Sequence, residues 1–286
     1  MANPNPDGGS PRALWLASPT ALLYAATFLF PFGFLLVTSF FKFDSGVTTP
    51  GFYLDNYKKL FTDGVTLPVF WDTVVLALYI TAVSILIAYP VGMLMRNVGP
   101  KTRVLLIYML VSPLLTSIIV RNLAWLLILG REGMVNRWLM EWGVTSSPLP
   151  LMYNELGVII AVVHVYLPFA VLPILGSLSA IDRRTEAAAS SLGAGPLRVF
   201  WNVTLPLSMP GVAAAATLVF ILSMGLYLTP VIMGGNFVVT LSMLITSAAR
   251  DQYNWPVAAA MSVLLLVSIM VAVLVPSLLS RLLKRA

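Results

Sequence analysis

Residues 185–206 read TEAAASSLGAGPLRVFWNVTLP, a run of small side chains between long apolar stretches. Glu186 is followed by alanines and serines, then by Leu192-Gly193-Ala194-Gly195-Pro196. Alanine is the strongest helix former, so 186–192 is expected to be a short helix with a nearly flat face. Gly193 or Gly195 can close that helix in a left-handed conformation, and Pro196 suits the first turn of a second one. Leu197, Phe200, Trp201, Val203 and Leu205 give the second helix apolar contacts, and Pro206 and Pro210 mark a bend into the next apolar segment. So small and smooth a surface has no packing use against lipid, but it lets another protein's backbone come close. The stretch reads as a docking element, a rigid helix–glycine–helix clip.

The chain around it is built for a membrane. Of its 286 residues 59 % are hydrophobic and 10 % charged, and the mean hydropathy is +0.91, far from a soluble composition. Crossing a bilayer core takes about 20 apolar residues. Uncharged windows of that order recur along the chain, without the period-2 alternation of a β-barrel, so the spans are helices that satisfy their own backbone. The expected fold is an all-α polytopic membrane protein with six transmembrane helices near 13–41, 70–95, 101–129, 156–180, 207–229 and 256–283. Pro113 is expected to kink the third. An outer loop at 42–69 carries turn signals and a short surface helix near 56–61. A second excursion at 131–150 holds an amphipathic helix, 134–142, with Trp138 and Trp142 at the interface, and residues 230–251 form a further outer loop.

Charge fixes the expected orientation. With the N-terminus inside, the cytoplasmic segments hold Arg12, Arg96, Lys101, Arg103, Arg183, Arg184, Arg198, Arg281, Lys284 and Arg285 against only Asp7, Asp182 and Glu186. The outer segments hold six basic residues against eight acidic ones. This places both termini and the 182–206 loop in the cytoplasm and accounts for the net charge of +6 without nucleic-acid binding. Residues 1–12, rich in Pro, Gly and Asn, are expected to be a disordered cytoplasmic tail, followed by one permease domain over 13–286. Residues 13–41 are too long for a signal-peptide core and read as a retained helix. The absence of cysteine removes disulfides, thiolate catalysis and cysteine metal sites.

The clip resembles the cytoplasmic loop of inner-membrane permeases of binding-protein-dependent ABC importers, whose pattern is EAA, three residues, G, nine residues, I-x-LP. Ala188-Ala189 match the alanines, Gly193 the glycine, Val203 the apolar position and Leu205-Pro206 the ending. In this register Ala187 stands where the motif has glutamate, and Glu186 lies one residue earlier. Two readings follow: Glu186 serves from a shifted position, or the partner contact has lost its anion. Further stretches are similar to the spermidine/putrescine-type branch: TSIIVRNLAW (116–125), GREGMVN (130–136), YLPF (166–169) and LTPVIMGG (228–235). The resemblance implies a type I importer fold and a periplasmic binding protein. It also implies a second homologous permease and a pair of ATPase subunits that bind ATP and Mg, this chain itself carrying no cofactor or metal. The coupling residues would be Glu186, Ala188, Ala189, Gly193, Ala194 and Gly195, and the solute a polyamine or a related amino-acid-derived compound.

Inside the spans the candidates are few. Arg121 is a charge within a span, where insertion costs about 3 kcal/mol unless the charge is paired or wet. It is read either as pairing with Glu132 or Glu155 or reaching outward, or as an outer-gate or substrate-carboxylate contact. His164, the single histidine, has no carboxylate or cysteine nearby in sequence and reads as a packed, hydrogen-bonded ring rather than a metal ligand. Tyr79, Trp125, Tyr166 and Tyr227 are either packing residues or pathway aromatics, whose faces attract ammonium groups. Pro230 and Gly234-Gly235 break the chain where an outward gate would stand. The uncharged windows of the expected spans contain no Asp or Glu, Asp72 standing just ahead of 73–95, so a polycation would need anions from a partner; otherwise the solute is zwitterionic or anionic. The GxxxxGK[ST] phosphate loop and a nucleophile–base set are missing from the sequence, so the chain reads as a non-catalytic permease subunit. A stand-alone secondary transporter is the alternative, with Arg121 and His164 as its only ion-coupling groups.

Overall fold

A computed structural model describes residues 18–20 and 22–283, with side chains to Leu274. The tail expected at 1–12 lies outside the described residues. The chain divides into two compact units, Met1–Asp63 with Ile245–Leu264, and Gly64–Leu244 with Leu265–Ala286.

The first unit opens with α1 (Ser18–Thr38), an apolar helix with no buried residue in its membrane window. A small hairpin follows, in which β1 (Lys42–Asp44) pairs antiparallel with β2 (Val47–Thr49). Its turn uses Ser45 and Gly46 at positive φ. Then comes α2 (Asp55–Thr62), the surface helix expected near 56–61. Buried Asn56 ties it to the end of α1 by donating to Ser39 O and Phe41 O, both at 2.8 Å. The Ser39 and Tyr57 hydroxyls meet at 2.7 Å.

The second unit is organised on three long helices. They are α3 (Thr66–Asn97), α7 (Glu155–Ala180) and α10 (Leu205–Met224). Between α3 and α7 lie α4 (Pro100–Val111), α5 (Ile118–Leu129) and α6 (Met134–Glu141). Leu76, Ile80, Ala88 and Met95 of α3 pack with Ala170, Val171, Ile174 and Leu178 of α7 and with Ala215 and Val219 of α10. Small residues let the helices approach closely, as membrane packing requires. A Cβ on Gly211 would lie 2.6 Å from Pro173 O and from the Ser177 side chain, and one on Gly92 would lie 3.2 Å from Ile174. Tyr89 and Ser208 hydroxyls join α3 to α10 at 2.8 Å. α7 stays continuous through Pro168 and Pro173.

Among the described residues, five helices are long and apolar enough to cross a membrane unbroken: Ser18–Thr38, Thr66–Asn97, Glu155–Ala180, Pro196–Met224 and Trp255–Leu274. The remaining expected span, the third, is helical but not merely kinked. Pro100–Leu115 and Ile118–Glu141 meet at 100°. Pro113 is the second residue of a 3-10 turn, Ser112–Leu115, and the chain is extended at Thr116 and Ser117, so the bend falls after the proline. α6 is the amphipathic helix expected in the excursion, with Trp138 stacked on Trp142 at 6.3 Å between ring centres. Buried Asn136 holds this excursion closed: it donates to Gly130 O (3.0 Å) and Leu149 O (3.1 Å) and accepts from Leu149 N (2.8 Å).

Two further expectations are corrected. Helix five starts at Pro196 rather than 207. The short α9 (Pro196–Val199) runs through a π-turn, Phe200–Thr204, directly into α10. The wider turn, in which Leu205 N donates to Phe200 O, re-registers the backbone just before Pro206, so neither Pro206 nor Pro210 bends the chain away. The expected outer loop at 230–251 is largely helical. Pro230–Phe237 and α11 (Leu241–Arg250) form a second bent pair at 97°. Leu241 N donates to Thr73 Oγ1 at 2.9 Å and Thr240 Oγ1 to Leu226 O at 2.8 Å, which fixes the bend. The last helix, α12 (Trp255–Leu283), starts one residue before its expected position.

Candidate coupling clip and membrane cavity

The clip folds as the sequence foretold, with one reversal. Its first helix, α8 (Arg183–Ser191), starts earlier than expected because Asp182 caps it, accepting from Arg184 N at 2.9 Å. Gly193, at φ +85°, ends it in the left-handed region. There Gly193 N donates to Ser190 O and Ala194 N to Ala189 O, satisfying carbonyls the helix leaves open. Gly195 is extended, and Pro196 begins α9. Ala188, Gly193 and Gly195 are exposed, as are the large apolar side chains of Leu192, Leu197 and Trp201. Ala189 and Ala194 are half-buried.

Glu186 is the reversal. Its carboxylate turns into its own chain, where Arg96 at the end of α3 grips it with both ends of the fork, Nη1 to Oε1 at 2.8 Å and Nη2 to Oε2 at 3.0 Å. Thr204 Oγ1 donates to Oε1 at 2.7 Å. The Arg96 side chain is only 9 % exposed, and its Nη2 also reaches Ile181 O at 3.2 Å. Two more arginines gather on the last carbonyls of α3. Arg103 donates to Met95 O (2.8 Å) and Arg96 O (2.9 Å), and Arg183 to Arg96 O at 3.4 Å. Cations at a helix C-terminus complement its dipole. Neither Arg96 nor Thr204 stands out in the sequence as a partner of Glu186. The one available hint was that a basic residue closing an apolar span needs an acceptor.

The hydrogen bond from Arg96 holds the Glu186 carboxyl below the ordinary carboxylate range, helped by Thr204 and by the charges of Arg96 and Arg183, with burial opposing. A depressed value means that the tie is complete above the free carboxyl's range and is lost as pH falls through the lowered one. Amide-exchange protection of residues 183–192 should therefore be the same at pH 8 and pH 6. Loosening across that interval would contradict the pairing.

In the apolar part of the unit, a cavity of about 250 Å³ is bounded by Arg121, Val162, Tyr166, Leu226, Tyr227 and Thr229 among others. Arg121, Tyr166 and Tyr227 thus come together. Trp125 and Pro230 are not among its lining residues. Trp125 meets the His164 ring edge-on at 5.5 Å, and buried Pro230 opens the π-turn that follows Thr229. His164 packs as expected, but its Nδ1 has no hydrogen-bond partner in the structure. Arg121 pairs with neither Glu132 nor Glu155. Its Nη2 donates to Pro113 O and to Thr116 O (2.7 Å), and its Nε to Thr116 Oγ1 at 3.3 Å. The guanidinium staples the broken span, joining Thr116 N and Oγ1 as a donor to Pro113 O and adding one to Thr116 O. Tyr166 donates to Leu222 O at 3.1 Å, and Asn122, 2 % exposed, meets Thr229 Oγ1 at 3.3 Å. A smaller cavity of about 180 Å³ is lined by Asp72, Glu155 and Phe237. Asp72 lies within α3, which begins at Thr66, ahead of the expected start.

Residues 14–285 match the family described as the inner membrane component of binding-protein-dependent transport systems. The chain belongs to that family. It is 31 % identical over 256 residues to the spermidine/putrescine transport system permease protein PotB of Escherichia coli, covering 88 % of this chain and 91 % of PotB. To PotB of Haemophilus influenzae it is 33 % identical over 210 residues, 73 % of each chain. Its fold is similar to a chain of the solved bacterial alginate ABC transporter in complex with an alginate pentasaccharide-bound periplasmic protein. There the TM-score is 0.75 at 16 % identity, covering 96 % of this chain and 95 % of that one. The family resemblance read from the 185–206 stretch and the spermidine/putrescine-type resemblance read from 116–125, 130–136, 166–169 and 228–235 are borne out, as is the polytopic, mostly helical importer fold. The protein is a multi-pass permease subunit of an ATP-driven importer, and the stand-alone secondary transporter is set aside.

Proposed function

We propose that this permease carries a polyamine or a closely related amino-acid-derived cation, by alternating access coupled to a partner ATPase through α8 and α9. The observation that carries the solute class is the orientation of Arg121. Its Nη2 donates to the Pro113 and Thr116 carbonyls and its Nε to Thr116 Oγ1, so these donors are engaged by its own chain rather than held for a solute anion. Tyr166 and Tyr227 line the cavity beside it, and aromatic faces suit ammonium ions. Asp72 of α3 and Glu155 at the start of α7 line the smaller cavity together, Glu155 about three turns before Tyr166. The names of the PotB relatives favour the same class. The expected assembly is this chain with a second homologous permease, a periplasmic binding protein and two ATPase subunits, which bind ATP and Mg. Both termini and α8–α9 face the cytoplasm. The test is uptake of labelled spermidine, putrescine and an anionic amino-acid derivative into proteoliposomes holding the assembled complex, with ATP inside. ATP-dependent uptake of the amines alone supports the proposal, and uptake of the anion alone overturns the solute class.

A further inference from the structure

We propose that Glu186 is an internal latch, a positioning residue that makes α8 move as one body with α3 and α10, rather than a contact for the partner ATPase. The inference rests on the importer reading and goes beyond it by assigning the step between partner and pathway. α8 has nine residues and none of them is buried, so neither its length nor apolar packing secures it. Its covalent attachments are Ile181-Asp182 on one side and the Leu192–Gly195 turn on the other. Glu186 supplies what is missing. Its Oε1 accepts from both Arg96 and Thr204 and its Oε2 from Arg96. One carboxylate thereby bridges the end of α3 and the π-turn that leads into α10. Arg96 also holds Ile181 O, the exit of α7, so all three core helices meet at this point. Charge-assisted, bidentate pairs are the strong and directional kind, and the near-complete burial of Arg96 makes its loss of a partner costly.

The one-residue shift from the family pattern follows from this arrangement. At 186 the carboxylate points inward to Arg96, while Ala187 and Ala188 leave the exposed face small. A push on that face reaches α3 and α10 through Glu186.

The test uses the complex purified with its ATPase partner and measures solute accumulated per ATP hydrolysed, basal ATP hydrolysis and subunit stoichiometry. For Glu186→Ala and Thr204→Val the latch predicts intact stoichiometry, persistent hydrolysis and a several-fold loss of solute per ATP. Because the chain has no cysteine, the Arg96→Cys, Glu186→Cys double variant can be bridged with a short bis-maleimide. Bridging should restore solute per ATP, which a merely structural loss would not allow. An unchanged ratio in Glu186→Ala, a proportional fall of hydrolysis and uptake, or a bridge without restoration overturns the latch. A wild-type chain that transports without any ATPase bound overturns the importer coupling itself, which is a distinct result.

Discussion

Gly211→Val is expected to prevent the second unit from packing, with the variant lost from the monodisperse fraction in detergent. The site permits no relaxation: the first added carbon already sits 2.6 Å from Pro173 O and from Ser177. A backbone carbonyl in the middle of α7 cannot step aside without shifting the whole helix, and α7 is the element that both α3 and α10 pack on. Overpacking a core typically costs about 1–3 kcal/mol, and the value here should lie at or above the top of that range. The control is Gly195→Val, where nothing lies within 4 Å of the added carbon and the backbone is extended. Fluorescence-detected gel filtration and thermal melting read both. A Gly211→Val protein as stable as the parent would contradict the close approach of α7 and α10.

Ala188→Glu is expected to abolish uptake while the purified chain keeps its melting temperature. Ala188 is exposed on α8, so glutamate costs the fold little, yet it places bulk and a negative charge on the face proposed to meet the partner. ATP hydrolysis should continue without accumulation of solute, or the ATPase should dissociate. Gly193→Val should act differently. Its φ of +85° is closed to a branched side chain, and a non-glycine residue there costs roughly 1–2 kcal/mol. The turn between α8 and α9 then opens, and uptake falls together with the ordering of α8. Full transport by both variants would remove the clip from the mechanism. Together they separate the surface of the clip from its internal geometry.

Much of this was legible in the sequence because it rests on local rules. Span length is set by bilayer thickness, so uncharged windows of about 20 residues mark helices wherever they occur. Gly193, Pro196 and the alanines of α8 announce their conformations one residue at a time. What could not be read depends on contacts between distant residues. Pro113 signals a kink, but the 100° break is held by Arg121 reaching back to Pro113 and Thr116. Arg121 in a span invites a search for an acid, and here its donors meet backbone carbonyls at the helix break instead. Arg96 and Glu186 are 90 residues apart, and a single sequence contains nothing that pairs them. α11 escaped notice because ten residues are too few for a span, and its start is defined by Thr73 from another helix. The hairpin at 42–49 turns on Ser45-Gly46, both at positive φ, inside the stretch expected to be a loop.

The central claim is that this permease is driven through α8 and α9 by a separate ATPase. The most direct measurement is purification of the tagged chain from its native membrane in mild detergent, with mass spectrometry of the intact assembly. The account predicts two copies of a phosphate-loop ATPase and a second six-helix permease bound to each copy of this chain. A chain that purifies alone and still moves solute into vesicles without ATP would contradict it.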